Sequence, residues 1–293
     1  MINTALWTAL ITPMNKDGSI HFGDLKKLVR KQAKTGNGIL LAGSTGEGLA
    51  LTMAEKKLLV KSVIEQKPDT PIMVGVGGFQ LANQVDWIQW CNKQDVDAFL
   101  MVNPLYAKPS EKGQVEWFKT LLEASEKPCM VYNIPSRTGS KISPDVIAEL
   151  ENHPEFWAVK EASGSIHDYR KFRESVPDVP LYSGDDALMP HFSVLGCQGL
   201  VSVASNVWPE ATNLYVEKCL KGETSSLFPR WNKAIDSLFS APNPIPVKWL
   251  MHANKQIENP TLRPPLTPDE LSDHSAIKAS NKDINNWYKS QKN

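Results

Sequence analysis

Eight short apolar segments, rich in β-branched residues, recur along the first two thirds of this 293-residue chain at intervals of roughly 20 to 33 residues. They lie at residues 5–11, 38–42, 71–76, 98–102, 128–132, 156–159, 180–182 and 199–203. Stretches with helical spacing separate them; Leu25, Leu28 and Val29, for example, share one helix face. Strands that alternate with helices build a parallel sheet through right-handed crossovers, and eight such units close into a barrel. The repeat therefore predicts an α/β fold, a (β/α)8 TIM barrel.

An open doubly wound sheet is the alternative architecture. Such a sheet needs a point where the strand order reverses, usually with a GxGxxG turn after a strand. Gly75, Gly77 and Gly78 are the nearest approach to that motif and do not have its spacing. The closed barrel is therefore the better prediction.

The chain continues well beyond the eighth unit, which ends near Gly222. Residues 223–293 are too many for a barrel closure, and they contain Pro-bounded helical stretches without strand-like alternation. Thr267, Pro268 and Glu270 give a further helix start, and the polar last dozen residues are expected to fray. We predict a barrel domain at 1–222 and a small helical C-terminal domain at 223–293.

Charge and cysteine content exclude several classes of protein. The chain has 32 basic and 32 acidic residues, so it lacks the basic face of a protein that binds nucleic acid or a membrane surface by bulk charge. It has no apolar run of the ~18 residues that a membrane span needs, and its N-terminus does not resemble a signal peptide. None of the four cysteines forms a CxxC pair, which is typical of free thiols in a reducing compartment. We expect a cytoplasmic protein.

No metal site is predicted. The six histidines form neither HExxH nor HxxxH. Asp185 and Asp186 are adjacent, and adjacent residues of a strand point to opposite faces of the sheet. They are therefore a poor pair of metal ligands.

The residues that follow each apolar segment are the candidate functional residues, because reacting groups in a barrel lie at the C-terminal ends of its strands. Lys160 follows its segment with no turn residue between, so it should still be on the strand. If its side chain points into the barrel mouth, burial lowers its pKa and makes it an amine nucleophile for a carbonyl carbon. A solvated lysine at a strand end is the alternative.

Hydroxyl groups end the neighbouring strands. Tyr106 and Tyr132 follow the fourth and fifth segments, and Ser44 follows the second. Such hydroxyls can pass a proton along a hydrogen-bonded chain, which imine formation requires. The glycine-rich residues 43–48 lack the Gly-Lys-Ser/Thr of a phosphate loop. The hydroxyls and amides of Ser44 and Thr45 can instead hold a carboxylate.

Three motifs at these positions resemble the dihydrodipicolinate synthase / N-acetylneuraminate lyase family of pyruvate-dependent aldolases, which are TIM barrels. They are GSTGE at 43–47, YNIP at 132–135 and KEASG at 160–164. Further segments resemble the synthase members in particular, namely SRTG at 136–139, NPIPVKW at 243–249 and LRPPLTP at 262–268. Neuraminate lyases lack the arginine of the first of these segments, and an arginine suits a second substrate that carries a carboxylate.

The resemblance implies a reaction and a role for each candidate residue. Lys160 would form a Schiff base with pyruvate, and Tyr132 would be the general acid and base beside it. Ser44 and Tyr106 would complete a proton relay, with Tyr106 reaching into the neighbouring subunit's site. Arg137 would receive the carboxylate of L-aspartate 4-semialdehyde. The residues that hold or line the pyruvate pocket would be Thr45, Gly184 and the backbone near Val201.

The implied product is 4-hydroxy-tetrahydrodipicolinate, made in the first committed step of the diaminopimelate route to lysine. The family uses no metal and no bound organic cofactor, and it is commonly a homotetramer built as a dimer of dimers. Two alternatives remain. One is a sister aldolase or lyase that acts on another aldehyde, such as a sugar acid. The other is a non-catalytic barrel that binds a ligand.

Some positions depart from the family pattern. Ser44 stands where a threonine is more common, and Leu105 stands where an aromatic residue is often found. The serine keeps the hydroxyl but loses a methyl group that restricts its side-chain rotation. Many bacterial members also bind lysine as an inhibitor between subunits; the corresponding positions here are Leu49, Met53, Lys56, Phe79, Asn83 and Leu105. This set lacks the acidic residue of sensitive members, so we expect insensitivity to lysine.

Overall fold

A computed structural model describes residues 2–292. Eight parallel strands form a closed barrel in which each strand pairs with its neighbours in chain order and β8 pairs with β1. The strands are β1 Leu6–Ala9, β2 Gly38–Leu41, β3 Ile72–Val76, β4 Ala98–Val102, β5 Cys129–Asn133, β6 Phe156–Glu161, β7 Leu181–Ser183 and β8 Gly199–Ser202. Every apolar segment of the repeat overlaps one of these strands, so the predicted (β/α)8 barrel is confirmed.

Helices surround the barrel. Their starts follow local chemistry: Thr52 and Glu55 form a capping box at the start of α2, and the Ser143 side chain caps α6, where Pro144 occupies the first turn. The helices up to the end of the barrel are α1 Phe22–Thr35, α2 Met53–Ile64, α3 Leu81–Asn92, α4 Glu111–Glu123, α5 Pro135–Thr138, α6 Pro144–Ala148, α7 Ile166–Ser175, α8 Met189–Ser193 and α9 Pro209–Leu220.

Two apolar clusters hold the structure together. The larger one fills the space between the strands and the surrounding helices. The smaller one fills the inside of the barrel and includes Trp7, Leu40, Met73 and Tyr182. Because alternate residues of a strand face opposite sides of the sheet, Tyr132 and Ala158 belong to the inner cluster while their neighbours Val131 and Val159 belong to the outer one. Side chains therefore fill the inside of the barrel, which is a packed core and not a pore.

The C-terminal segment is helical. Its helices are α10 Phe228–Leu238, α11 Ile245–Ala253 and α12 Ser275–Ser290. The predicted start at Thr267 is correct, but the structure there is a single 3-10 turn over Pro268–Glu270, because Leu271 becomes extended and buries its side chain. The expected fraying is wrong for most of the last dozen residues, since α12 is held through Ser290 by buried Ile284 and by Trp287, whose ring lies 5.5 Å from that of Trp231.

Two further properties of the chain concern its helices and its cysteines. Across residues 2–292 no helix combines the length and apolar character that crossing a membrane requires. The four cysteines are all buried and unpaired. Burial raises the pKa of the Cys91 and Cys129 thiols, Cys129 to about 12, so these thiols are structural rather than reactive.

Candidate active site

Lys160 is held inside the barrel on β6. Its register partners are Tyr132 on β5 and Tyr182 on β7, and only 4% of the residue is exposed. Burial lowers the pKa of Lys160 to about 7; the Arg137 guanidinium acts in the same direction, and the Asp186 carboxylate opposes them. An amine that is substantially neutral near pH 7 is a competent nucleophile. The structure thus places Lys160 on the strand and in the interior, as the sequence predicted.

The ring of Tyr132 lies directly against this amine. The Lys160 Nζ atom is 4.0 Å from the ring centroid. Burial raises the pKa of Tyr132 to about 12, while Arg137 and the Ser44 hydroxyl act in the opposite direction. Tyr132 therefore remains a protonated phenol that can donate a proton next to the lysine and recover it through a neighbouring hydroxyl.

The loop after β2 brings Ser44 and Thr45 to the same end of the barrel. It turns tightly: the amide of Gly48 donates to the Gly43 carbonyl at 3.0 Å, and a Cβ atom at Gly48 would collide with the carbonyl of Ala42. Ser44 is half-buried and Thr45 is buried. The loop thus presents one hydroxyl toward Tyr132 and keeps the other inside.

Arg137 comes from the short helix α5, which begins at Pro135 directly after β5. Its side chain is exposed and forms no ion pair with any carboxylate of the part of the chain that the structure describes. A guanidinium without an internal partner is available for the carboxylate of a ligand. Its charge acts on both Lys160 and Tyr132, so it lies close to both side chains.

Gly184 and Val201 are two further predicted site residues. Gly184 follows β7, and a Cβ atom there would lie 2.6 Å from the Cε atom of Lys160, so any larger residue would displace the lysine. Val201 lies on β8 and is fully buried in the inner cluster. Gly184 therefore lies against the lysine, and Val201 lies in the barrel interior.

A cavity of about 540 Å³ opens at this end of the barrel. Four of the eight predicted site residues line it, namely Ser44, Tyr106, Tyr132 and Arg137. The other four do not line it; Lys160, Thr45 and Val201 are buried and Gly184 is half-buried. Tyr132 both lines the cavity and contacts the amine, so it connects the cavity with Lys160.

Tyr106 lines the cavity but is far more exposed than Tyr132 and Lys160, which are 7% and 4% exposed. It is 91% exposed and has a left-handed backbone with φ of 69°, a conformation that costs energy for a residue with a Cβ atom. Around it, Leu49 and Phe79 are also large, apolar and more than 60% exposed. This arrangement presents Tyr106 outward, away from its own chain's core.

The sequence did not identify two polar residues of the site. Asp186 is buried beyond β7; its carboxylate accepts hydrogen bonds from the Ser202 hydroxyl and from the backbone amide of Val203 at 3.0 Å. Asn243 precedes α11, and its Nδ2 atom donates to the Thr45 hydroxyl at 2.9 Å. The signals available in the sequence were a carboxylate two residues after Gly184 and the asparagine that begins the NPIPVKW segment.

One cluster of potential metal ligands lies away from this site, formed by His21, Asp24 and Glu258. Its groups already have partners. The His21 Nδ1 atom accepts from the amide of Asp24 and caps α1, and the Asp24 carboxylate binds Lys27 and the amide of Glu258. The cluster therefore ties the start of α1 to the segment after α11.

Comparison with known proteins gives consistent matches over the full length. The model of the dihydrodipicolinate synthetase family matches residues 3–284. A 4-hydroxy-tetrahydrodipicolinate synthase of Francisella philomiragia is 47% identical over 291 residues, which cover 98% of each chain. The enzyme of the same name from a Wolbachia of Culex pipiens is 41% identical over 288 residues, again 98% of each chain.

Solved structures agree with the sequence matches. The dihydrodipicolinate synthase of Acinetobacter baumannii, complexed with pyruvate, superposes with a TM-score of 0.92 at 29% identity, covering 97% of this chain and 99% of that one. The enzyme of Cyanidioschyzon merolae with lysine bound gives a TM-score of 0.89 at 29% identity, covering 97% and 98%. With its closed barrel, its buried strand lysine and a match that spans residues 3–284, the chain belongs to the dihydrodipicolinate synthetase family.

Proposed function

We propose that this protein is a lyase that condenses pyruvate with L-aspartate 4-semialdehyde to form 4-hydroxy-tetrahydrodipicolinate. The observation that carries the proposal is the buried amine of Lys160, 4.0 Å from the centroid of the Tyr132 ring, in a chain 47% identical to an enzyme of that name. The reaction is the first committed step of the diaminopimelate route to lysine. A coupled assay that supplies both substrates tests it directly.

The first half-reaction uses Lys160 and the hydroxyls around it. The neutral amine attacks the carbonyl carbon of pyruvate, and a proton delivered by Tyr132 lets water leave, which gives an imine. Ser44 passes protons between Tyr132 and the rest of the relay. Thr45 and the backbone near Val201 hold the pyruvate carboxylate, and Gly184 leaves the space that the adduct needs.

The second half-reaction makes the carbon–carbon bond. Loss of a proton from the pyruvate methyl group gives an enamine, whose carbon attacks the aldehyde carbon of the semialdehyde. Arg137 holds the carboxylate of this substrate through charge-assisted hydrogen bonds. The substrate's own amine then displaces Lys160 from the imine carbon, which closes the ring and frees the lysine for another turnover.

Tyr106 acts in this proposal across an interface between two copies of the chain. Its exposure, its strained backbone and the apolar side chains of Leu49 and Phe79 around it support a second copy at this surface. In the second copy, this phenol would join the proton relay formed by Ser44 and Tyr132. The proposed assembly is a homotetramer built as a dimer of such dimers.

The proposed division of labour assigns the chemistry to a barrel domain at 1–222 and its support to a helical domain at 223–293. The proposed compartment is the cytoplasm, which the four unpaired thiols support. The proposed reaction needs no metal and no bound organic cofactor, because the lysine amine itself forms the covalent intermediate.

A substrate panel separates this function from a sister aldolase. With pyruvate held constant, the enzyme should turn over aspartate semialdehyde far faster than sugar-acid aldehydes. Preference for a sugar-acid aldehyde would contradict the proposal. Binding of pyruvate without turnover of any aldehyde would favour a non-catalytic barrel.

Arg137→Ala should impair the second half-reaction more than the first. A lost charge-assisted pair costs about 1.5–3 kcal/mol, so kcat/KM for the semialdehyde should fall roughly 10- to 100-fold. Imine formation with pyruvate alone should change little. The exposed Arg170, which pairs with Glu174 on the outside of α7, gives a control variant Arg170→Ala. If Arg137→Ala weakens imine formation and semialdehyde use equally, the role of Arg137 is structural.

Lysine should not inhibit the enzyme at physiological concentrations. Leu49 and Phe79 are exposed apolar groups, Lys56 brings a positive charge, and the Asn83 amide is bonded to Gln80 on its own helix turn. Several charge-assisted bonds worth about 1.5–3 kcal/mol each are thus missing from the surface that binds lysine in sensitive relatives. A dose–response curve with both substrates near half-saturation checks this. Clear inhibition by sub-millimolar lysine would contradict the expectation.

A further inference from the structure

A second lysine is buried as deeply as Lys160, and the proposed reaction does not use it. Lys248 lies on α11 in the C-terminal segment, and none of its surface is exposed. Its ammonium forms an ion pair with the Glu47 carboxylate and donates to the Thr261 carbonyl at 2.8 Å. Because pyruvate cannot reach it, Lys248 is not an alternative nucleophile.

Glu47 belongs to the loop that carries Ser44 and Thr45. Its side chain is 2% exposed, and each carboxylate oxygen has a partner from the C-terminal segment: Lys248 binds Oε1, and the backbone amide of Arg263 donates to Oε2 at 2.8 Å. The Glu47 amide in turn donates to the Ser44 carbonyl at 3.1 Å. The position of Glu47 therefore sets the turn that orients Ser44.

The loop needs such an anchor because its backbone is strained. Glu47 has φ of 53° and Ala42, just before the loop, has φ of 54°, which costs energy unless surrounding contacts compensate. Asn243, also in the C-terminal segment, donates to the Thr45 hydroxyl at 2.9 Å. Residues of the C-terminal segment thus hold the loop at two points: Lys248 and the Arg263 amide bind Glu47, and Asn243 binds Thr45.

A buried ion pair is a poor source of stability, because the desolvation of two charges offsets their attraction, and apolar replacements are often equally stable. What the pair supplies here is position: it holds a strained loop at one place relative to the barrel mouth. We propose that Lys248, through Glu47, is a positioning residue for Ser44 and Thr45 and thereby for pyruvate. This inference rests on the proposed function, since it assigns those hydroxyls to the pyruvate site.

The test compares Lys248→Met with a control at the same junction. Arg263→Met removes side-chain bonds to Glu55, Gly18 and Ala50 but keeps the backbone amide that binds Glu47. For each variant, the thermal unfolding midpoint is measured together with the pyruvate concentration that half-saturates borohydride trapping on Lys160. Lys248→Met should raise that concentration roughly 10- to 100-fold, as expected for displaced binding groups. Arg263→Met should change it less than about 3-fold, because the backbone amide that binds Glu47 remains.

The double variant Lys248→Met with Glu47→Gln covers the case in which Lys248→Met does not fold. It leaves no unpaired buried charge, so the fold should recover, while the pyruvate requirement should stay high because the anchor is still absent. Restored folding with restored pyruvate affinity would overturn the inference, as would equal losses in Lys248→Met and Arg263→Met. Failure of the parent protein to trap pyruvate would instead refute the proposed function itself.

Discussion

Lys160→Met should abolish both borohydride trapping of pyruvate and turnover of the two substrates. Methionine keeps the length and apolar character of the side chain in the barrel interior but removes the nitrogen that forms the imine. We expect a loss of at least ~10⁴-fold in kcat, because the proposed reaction proceeds through an imine that cannot form without this amine. Intact-mass analysis of the parent protein after reduction should show one pyruvate adduct, and peptide mapping should place it on Lys160.

The control for this result is Lys141→Met, which removes a half-exposed lysine that pairs with Asp168 outside the barrel interior. This variant should form the adduct and turn over like the parent. An adduct on any other lysine, or none in the parent, would refute the assignment of Lys160 and with it the proposed reaction.

The trapping also has an expected pH dependence. Burial lowers the pKa of Lys160 to about 7, and only the neutral amine attacks the carbonyl. At low pyruvate, the rate of imine formation should therefore rise as pH increases through about 7 and level off above it, since most of the amine is then deprotonated. A rate that still rises steeply above pH 9 would show an ordinary lysine pKa.

Tyr132→Phe should reduce turnover by roughly 10²- to 10⁴-fold, the range typical for the loss of a general acid–base group. The ring remains, so the packing against the Lys160 ammonium is preserved, and only the hydroxyl that moves protons is lost. Imine trapping should become slow but still reach completion at long times. A stopped-flow or quenched trapping course distinguishes a slower rate from a smaller amount of adduct.

Tyr182→Phe is the matched control, because Tyr182 is also buried in the barrel and is the register partner of Lys160 on its other side. Its ring packs against Trp157, with centroids 5.5 Å apart, in the inner apolar cluster. It does not line the cavity. A loss in Tyr182→Phe as large as that in Tyr132→Phe would mean that the effect reflects the barrel core and not proton transfer.

The strands and the central pair of the site could be predicted from the sequence because they depend on local patterns. Runs of β-branched residues at a regular interval specify strands, and eight strand–helix units leave few ways to pair except a closed barrel. The absence of a turn residue before Lys160 kept it on β6. Once consecutive strands pair in chain order, Tyr132 on β5 becomes its register neighbour. The order of the strands along the chain, together with the residues that end them, was thus sufficient to identify Lys160 and Tyr132.

Other features depend on contacts between distant parts of the chain. The ion pair of Lys248 with Glu47 joins residues 201 positions apart, and the bond of Asn243 with Thr45 joins residues 198 apart. Nothing in either local segment specifies its partner. The outward placement of Tyr106 follows from a left-handed backbone that its own residue type does not favour.

The sequence by itself determined the barrel, the eight strands and the identity of the candidate nucleophile, because strand periodicity and residue type are local properties. Only the tertiary structure decided how buried that lysine is and hence that its pKa lies near 7, because desolvation depends on everything packed around the amine. It also decided that the C-terminal segment anchors the loop of Ser44 and Thr45. That contact exists only after the barrel has closed and α11 has packed beside its mouth.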